Sequence, residues 1–202
     1  MTMSKKERTL QEILRAAKAS ILADGHESVT VRRLAEKTGL AYTGLYYYFK
    51  DLNALLWTLR LDMIDDMMAE LTVVESAHKD PIEALLAGLS QYTGYFFQHP
   101  TVFRFFYFGQ FVQPEGDERY LKLQARMGEI WQQSFSRLVQ SGQVLPEEID
   151  FLARTIIYAL QGMITLSFSA NGLMTQETVQ SELEQLVLYL LKKEPQSPEG
   201  GQ

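Results

Sequence analysis

The chain has 202 residues, 46% of them hydrophobic and 22% charged, so it can bury the core of one large domain or two small ones. It has no cysteine, which excludes disulfides, thiolate metal sites and thiol nucleophiles and suits a reducing compartment. The net charge of -6 is unevenly spread: residues 1–50 hold nine Lys and Arg against five Asp and Glu, and residues 51–202 hold ten against twenty, a basic head on an acidic body.

No segment alternates with the period of a strand, and nearly everything from Glu7 to Lys193 follows helical period, which predicts an all-α fold. The N-terminus carries Lys5, Lys6 and Arg8 with no apolar run behind them, so no signal or transit peptide is visible. No apolar stretch approaches a membrane span, and a cytoplasmic protein with no membrane contact is expected. The first helix runs from about Glu7 to Ala23, with Leu10, Ile13, Leu14, Ala17 and Ile21 on one face and Asp24-Gly25 as its stop.

Thr30 caps a short second helix on which Leu34 and Ala35 point inward, Thr38-Gly39-Leu40 supplies a tight turn, and Tyr42 to Tyr48 form a third helix, where Leu45 and Phe49 recur at i, i+4. Two short helices held by such a seam read as a helix-turn-helix, which presents a row of side chains to a DNA major groove. The basic charge of residues 1–50 agrees with this, because phosphate attraction must be local to the contacting face. Lys5, Lys6 and Arg8 are either an arm toward DNA or a charged tail.

Asp51 caps a long fourth helix with a stripe of Leu55, Leu59, Met63, Met67 and Leu71. Asp80-Pro81-Ile82-Glu83 combines a cap, a proline at the first helical position and an acid three residues after the cap; its helix reaches Phe97, before Gln98-His99-Pro100. Further helices are expected over Val102 to Phe111, Glu118 to Gln140, Pro146 to Ala170 and Gln176 to Lys193. The expected domains are a head at 1–50, a helical body at 51–193 and a disordered tail at 194–202, rich in Pro, Gly and Ser.

Asp24-Gly25, Thr30-Val31-Arg32-Arg33-Leu34-Ala35-Glu36-Lys37, Gly39-Leu40, Leu45-Tyr46-Tyr47-Tyr48-Phe49-Lys50 and Leu55 together resemble, in order and spacing, the DNA-binding signature of the TetR family of bacterial transcriptional regulators. The motif covers about the first 60 residues; the body resembles the family in helix count and length only. The resemblance implies a three-helix head, a roughly six-helix ligand-binding and dimerisation body, an inverted-repeat DNA operator, a small-molecule effector and a homodimer. Carried over by position, it makes Thr30 a phosphate contact with Arg32 and Arg33 as further candidates, sets Tyr42, Thr43 and Gly44 against base edges, and Tyr46 and Tyr48 against the backbone. Tyr47 and Lys50 complete the candidate DNA-facing set. Where the family commonly has a Ser cap on the third helix this chain has Ala41, and where it commonly has a Lys two residues after Lys50 it has Leu52. Gly44 inside that helix costs about 1 kcal/mol relative to Ala. No Arg or Asn lies on it to make a bidentate base contact, so phosphate contacts and DNA shape carry more of the expected specificity.

Ten aromatic residues fall between Tyr92 and Phe111, around His99-Pro100. Such density serves either as a bulky core or as the wall of an effector cavity, for which Tyr92, Phe96, Phe103, Phe106, Tyr107, Phe111, Trp131 and Phe168 are the candidates. A small apolar or aromatic effector would suit them, and a cationic one through cation-π contacts. Gln110, Gln161 and Asn171 are possible polar contacts. His26, His78 and His99 lack ligand spacing, so no metal or cofactor is expected and each reads as a surface or cap histidine. No glycine-rich phosphate loop, G-x-S-x-G or H-E-x-x-H supports an enzyme. Dimerisation is expected through Ile156, Ile157, Leu160, Met163 and Ile164 on one helix and Leu183, Leu186, Val187 and Leu190 on the last, with Gly162 allowing close approach; the alternative for these residues is the intramolecular core, and each helix is expected to serve both. The expected function is a ligand-released repressor; the alternative is a small-molecule-binding or partner-docking protein whose helix-turn-helix no longer binds DNA.

Overall fold

A computed structural model describes residues 4–71, 78–169 and 172–191, which hold helices joined by turns and no strand. The tail expected to be disordered, and Asn171, lie outside the described residues. The α-helices are α1 (Lys5–Asp24), α2 (Val31–Thr38), α3 (Leu52–Leu71), α4 (Pro81–Gln98), α5 (Pro100–Tyr107), α6 (Glu118–Gln140), α7 (Ile149–Ser167) and α8 (Gln176–Leu191), with 3-10 segments at His26–Ser28 and Tyr42–Tyr47. They divide into two compact units, Met1–Met68 with Gln98–Ala125, and Ala69–Phe97 with Arg126–Gln202.

In the first unit, α1 starts two residues earlier than its apolar face suggests, because Ser4 and Glu7 form a capping box: Glu7 N–H donates to Ser4 Oγ at 3.2 Å and Ser4 N–H to Glu7 Oε2 at 2.8 Å. Lys5, Lys6 and Arg8 therefore belong to a helix rather than to an extended arm. The helix stops at Gly25, whose φ of 85° is open to glycine and costly for other residues. Ile13, Leu14, Ala17 and Ile21 of α1 are buried, as are Val29, Leu34, Ala35, Leu45 and Leu55. Each such Leu or Ile contributes about 1.5–3 kcal/mol by leaving water, so this seam fixes the helix-turn-helix. α1 also packs on α5, where Thr101 Oγ1 donates to the Leu22 carbonyl at 3.3 Å.

α5 is shorter than its aromatic run. It ends at Tyr107, and Gly109 follows, where a Cβ would collide with the ring of Phe111 folded back on it. The segment after α5 is fastened along α3. The Asn53 side-chain amide and the Val112 backbone exchange two hydrogen bonds at 3.0 and 2.9 Å, and Trp57 Nε1 donates to Asp117 Oδ2 at 2.7 Å. Asp117 also caps α6, accepting from Tyr120 N–H at 3.0 Å, and Arg119 reaches Asp62 and Asp65 at 2.6 and 3.2 Å.

In the second unit, Asp80 Oδ1 accepts from the N–H groups of Ile82 and Glu83 at 2.8 and 3.0 Å, which starts α4 behind Pro81. α7 begins at Ile149, because Pro146 to Glu148 form a turn before it. It packs closely on α8 through Leu152, Ile156, Leu160 and Ile164 against Val179, Leu183 and Val187, all buried. Five residues assigned to a dimer seam, Ile156, Leu160, Ile164, Leu183 and Val187, are therefore core of a single chain. The apolar row left outside is a different one on α7: Phe151 and Tyr158, 68% and 69% exposed, with Gly162 and Leu166 in the same register. Two apolar faces on one helix make Ile149–Ser167 long and apolar enough to cross a membrane by length and composition, contrary to the expectation that no stretch approaches a span. Its buried inner face is that of a packed helix.

Candidate nucleic-acid interface and ligand site

The second helix of the reading motif is a 3-10 segment, Tyr42–Tyr47, and not an α-helix. The sequence explains it. Ala41 gives no side-chain cap, Gly44 and three tyrosines are poor helix formers, and the first turn closes with an i to i+3 bond from Gly44 N–H to the Ala41 carbonyl at 2.8 Å. Of its side chains only Leu45 is buried, and of the three consecutive tyrosines only Tyr48, just past the segment, turns partly inward. Tyr42, Thr43, Tyr46 and Tyr47 are exposed, while Gly44 and Tyr48 are half-buried. The hydroxyls of Tyr42 and Tyr46 are 3.2 Å apart, and this hydrogen bond raises the Tyr46 phenol above its ordinary value. Tyr47 meets Tyr48 edge-on at 5.2 Å and carries Lys6 over its ring at 5.0 Å.

Beside this row stands the N-terminus of α2. Thr30 Oγ1 accepts from Arg33 N–H at 3.2 Å, which leaves its hydroxyl hydrogen free to donate outward. Arg32 pairs with Glu36 at 3.1 Å with both side chains well exposed, a pair worth under about 1 kcal/mol that releases readily. Arg33 donates weakly to the Ser28 carbonyl at 3.4 Å, and Lys50 is exposed. Lys37 is engaged internally, donating to the buried Ser20 hydroxyl at 2.7 Å. All ten candidate DNA residues belong to the first unit.

The eight candidate ligand residues divide between the units. In the second, the rings of Tyr92 and Phe96 lie 4.9 Å apart and those of Tyr92 and Trp131 5.9 Å, and Phe168 stacks on Phe97 at 5.1 Å. Gln161 Nε2 donates to the hydroxyl of Tyr92 at 2.7 Å, joining α7 to α4. In the first, Phe103 meets Tyr107 at 4.7 Å, Phe106 meets Phe105 at 6.0 Å, and Phe111 meets Phe105 at 5.1 Å. Phe96 and Phe103 have no exposed surface and act as core; Trp131, Phe111 and Phe168 are half-buried and Tyr107 is exposed. Gln110 is exposed.

Sequence reasoning passes over Arg60 and Trp57, although an arginine between Leu59 and Leu61 in a buried stripe is a visible signal. His26, expected as a surface or cap residue, has a side chain only 16% exposed and faces the rings of Phe105 and Phe111. Among the described residues no group of His, Asp and Glu converges as a metal site.

Residues 13–56 match the family model described as bacterial regulatory proteins, tetR family. No curated protein matches the sequence. Among solved structures, RolR in complex with resorcinol is 15% identical with a TM-score of 0.66, covering 94% of this chain and 96% of its own. The transcriptional regulator FadR from Bacillus subtilis in complex with stearoyl-CoA is 14% identical with a TM-score of 0.69, over 90% and 97% of the two chains. The TetR-family regulator PfmR from Thermus thermophilus is 24% identical with a TM-score of 0.65, over 89% and 97%. The head of this protein is thus that of the TetR family of bacterial regulatory proteins, and the chain has the fold of TetR-family transcriptional regulators.

Proposed function

We propose that the protein is a cytoplasmic transcriptional repressor that binds an inverted-repeat operator as a homodimer and is released by a small apolar or aromatic effector. The observation that carries this reading is the exposed row Tyr42, Thr43, Tyr46 and Tyr47 beside the Thr30-capped end of α2. Thr30, Arg32, Arg33, Tyr48 and Lys50 contact phosphates, whereas Tyr42, Thr43 and the Gly44 backbone meet base edges, the Thr43 methyl being suited to a thymine methyl. With no side-chain cap and Gly44 inside it, the 3-10 segment relaxes into a wider α-turn when DNA fixes it.

One head reads few bases, and two heads read half-sites about 34–36 Å apart or a multiple of that. The exposed α7 row of Phe151, Tyr158, Gly162 and Leu166 supports self-association there, since such a row is costly in water. Tyr92, Trp131 and Gln161 are the favoured effector contacts, joining half-buried aromatic surface to a polar pair. The effector releases DNA by binding the dimer arrangement that no longer fits the half-sites more tightly than the one that does. Selection of bound duplexes from a random DNA library tests the reading. An inverted repeat is the expected product; recovery of no sequence above background from folded protein would overturn it in favour of a ligand-binding or partner-docking role.

A further inference from the structure

Arg60 sits on α3 between two buried leucines, in the unit that holds the head. Its guanidinium lies 5.5 Å from the centre of the Trp57 ring and 6.0 Å from that of Phe111. Nη2 donates to the Phe106 carbonyl in the last turn of α5 at 3.3 Å, while Nε is shut off from solvent with no hydrogen-bond partner. Among the described residues no carboxylate pairs with Arg60. The acids nearest along α3, Asp62 and Asp65, are held by Arg119, and Asp117 is held by Trp57 and Tyr120. Phe111 also neighbours His26 at 6.4 Å, and His26 Nδ1 is likewise enclosed without a hydrogen bond, 3.4 Å from Glu27 Oε2.

Capping α5 uses one of five guanidinium donors and the cation-π contacts with the two rings use none, so most of its donors are left for an anionic partner. The Nη1–Nη2 end of the guanidinium, unlike the enclosed Nε, can meet the two oxygens of a carboxylate, and the rings beside it supply apolar surface. We propose that Arg60, Trp57 and Phe111 form a seat for a small planar carboxylate, with Arg60 as the anchor. The seat is separate from the Tyr92, Trp131 and Gln161 contacts, which lie in the other unit and offer no cation, and it specifies an anionic ligand where aromatic density alone suggested an apolar or cationic one. It requires no operator, so its test is independent of the DNA-binding reading.

The test is a titration of the free full-length protein carrying Trp131→Phe, which leaves Trp57 as the sole tryptophan and its fluorescence as the signal. Benzoate is expected to change that fluorescence saturably, and the neutral isostere benzamide to bind at least tenfold more weakly. Arg60→Gln is expected to weaken benzoate at least tenfold, and Arg60→Lys to keep part of the affinity as a point charge without the fork. Equal affinity for benzoate and benzamide, no saturable response to benzoate, or undiminished benzoate binding by a folded Arg60→Gln variant would overturn the proposal. If Arg60→Gln does not fold, the comparison of benzoate with benzamide decides alone, since it leaves the arginine in place.

Discussion

The helix-turn-helix and the aromatic body carry their proposed functional residues in opposite ways. In the head, Tyr42, Thr43, Tyr46 and Tyr47 are exposed and their directions are set by local devices: the Thr30 cap, the turn at Gly39, whose φ is 68°, and a single buried anchor, Leu45. In the second unit, Tyr92 is buried and placed by a partner 69 residues away, Gln161. A reading surface made of local signals is legible as a motif. A binding surface made of distant contacts is spread through the chain, so its residues look like core until they are paired.

The largest expected effects break the two regions one at a time. Leu45→Ala removes the only buried side chain of the recognition segment and is expected to cost about 2–5 kcal/mol in the head, abolishing DNA binding while α7 and α8 keep their packing. Hydrogen exchange resolved by segment checks this, and loss of protection spread equally into α7 would contradict the local character of the head. In the second unit, Tyr158→Asp with Phe151→Asp puts charge on the exposed α7 row and should raise the dimer dissociation constant at least about a hundredfold with little change in melting temperature. Sedimentation shows it, and an unchanged mass would remove α7 from the interface.

Smaller effects separate roles within the head. Thr30→Ala deletes the α2 cap, costing about 1 kcal/mol, and should weaken binding to all duplexes alike, whereas Thr43→Ala should leave stability unchanged and alter the preferred sequence. Identical specificity profiles for the two variants would contradict the division into phosphate and base contacts. The smallest effect is in acid. The Trp57 hydrogen bond, followed by that from Tyr120 N–H, holds the Asp117 carboxyl below its ordinary 3.8. A carboxyl lowered on folding adds stability that is complete above its unfolded value and is lost as pH falls through the folded one. The stability difference between the unmodified protein and Asp117→Asn should therefore shrink on acidification below about pH 4, and a difference that grew would reverse the assignment.

Where sequence and structure part, the reason is local competition or a second apolar face. Asp80-Pro81 announces α4 because cap, proline and acid coincide, yet the equivalent box at Ser4 and Glu7 escapes a reading from periodicity because it precedes the first apolar residue of α1. The aromatic run suggests a helix through Phe111, but Gly109 ends it and Phe111 folds back against that glycine. On α7 both the buried face at Ile156, Leu160 and Ile164 and the exposed face at Phe151, Tyr158 and Leu166 are apolar, so periodicity does not say which one the chain keeps for itself. Tyr42–Tyr47 satisfies helical spacing, and the absence of a cap at Ala41, with Gly44 and three poor helix formers in the segment, hints at the tighter 3-10 geometry.

DNA binding by the exposed head is tested most directly by the salt dependence of affinity for the selected duplex, followed by fluorescence anisotropy between about 50 and 200 mM salt. Two heads, each placing Arg32, Arg33 and Lys50 on phosphates, predict that log affinity falls linearly with log salt at a slope of about -5. A slope near zero, from folded dimer and with the same duplex, would mean that this head holds no phosphates and would contradict the account.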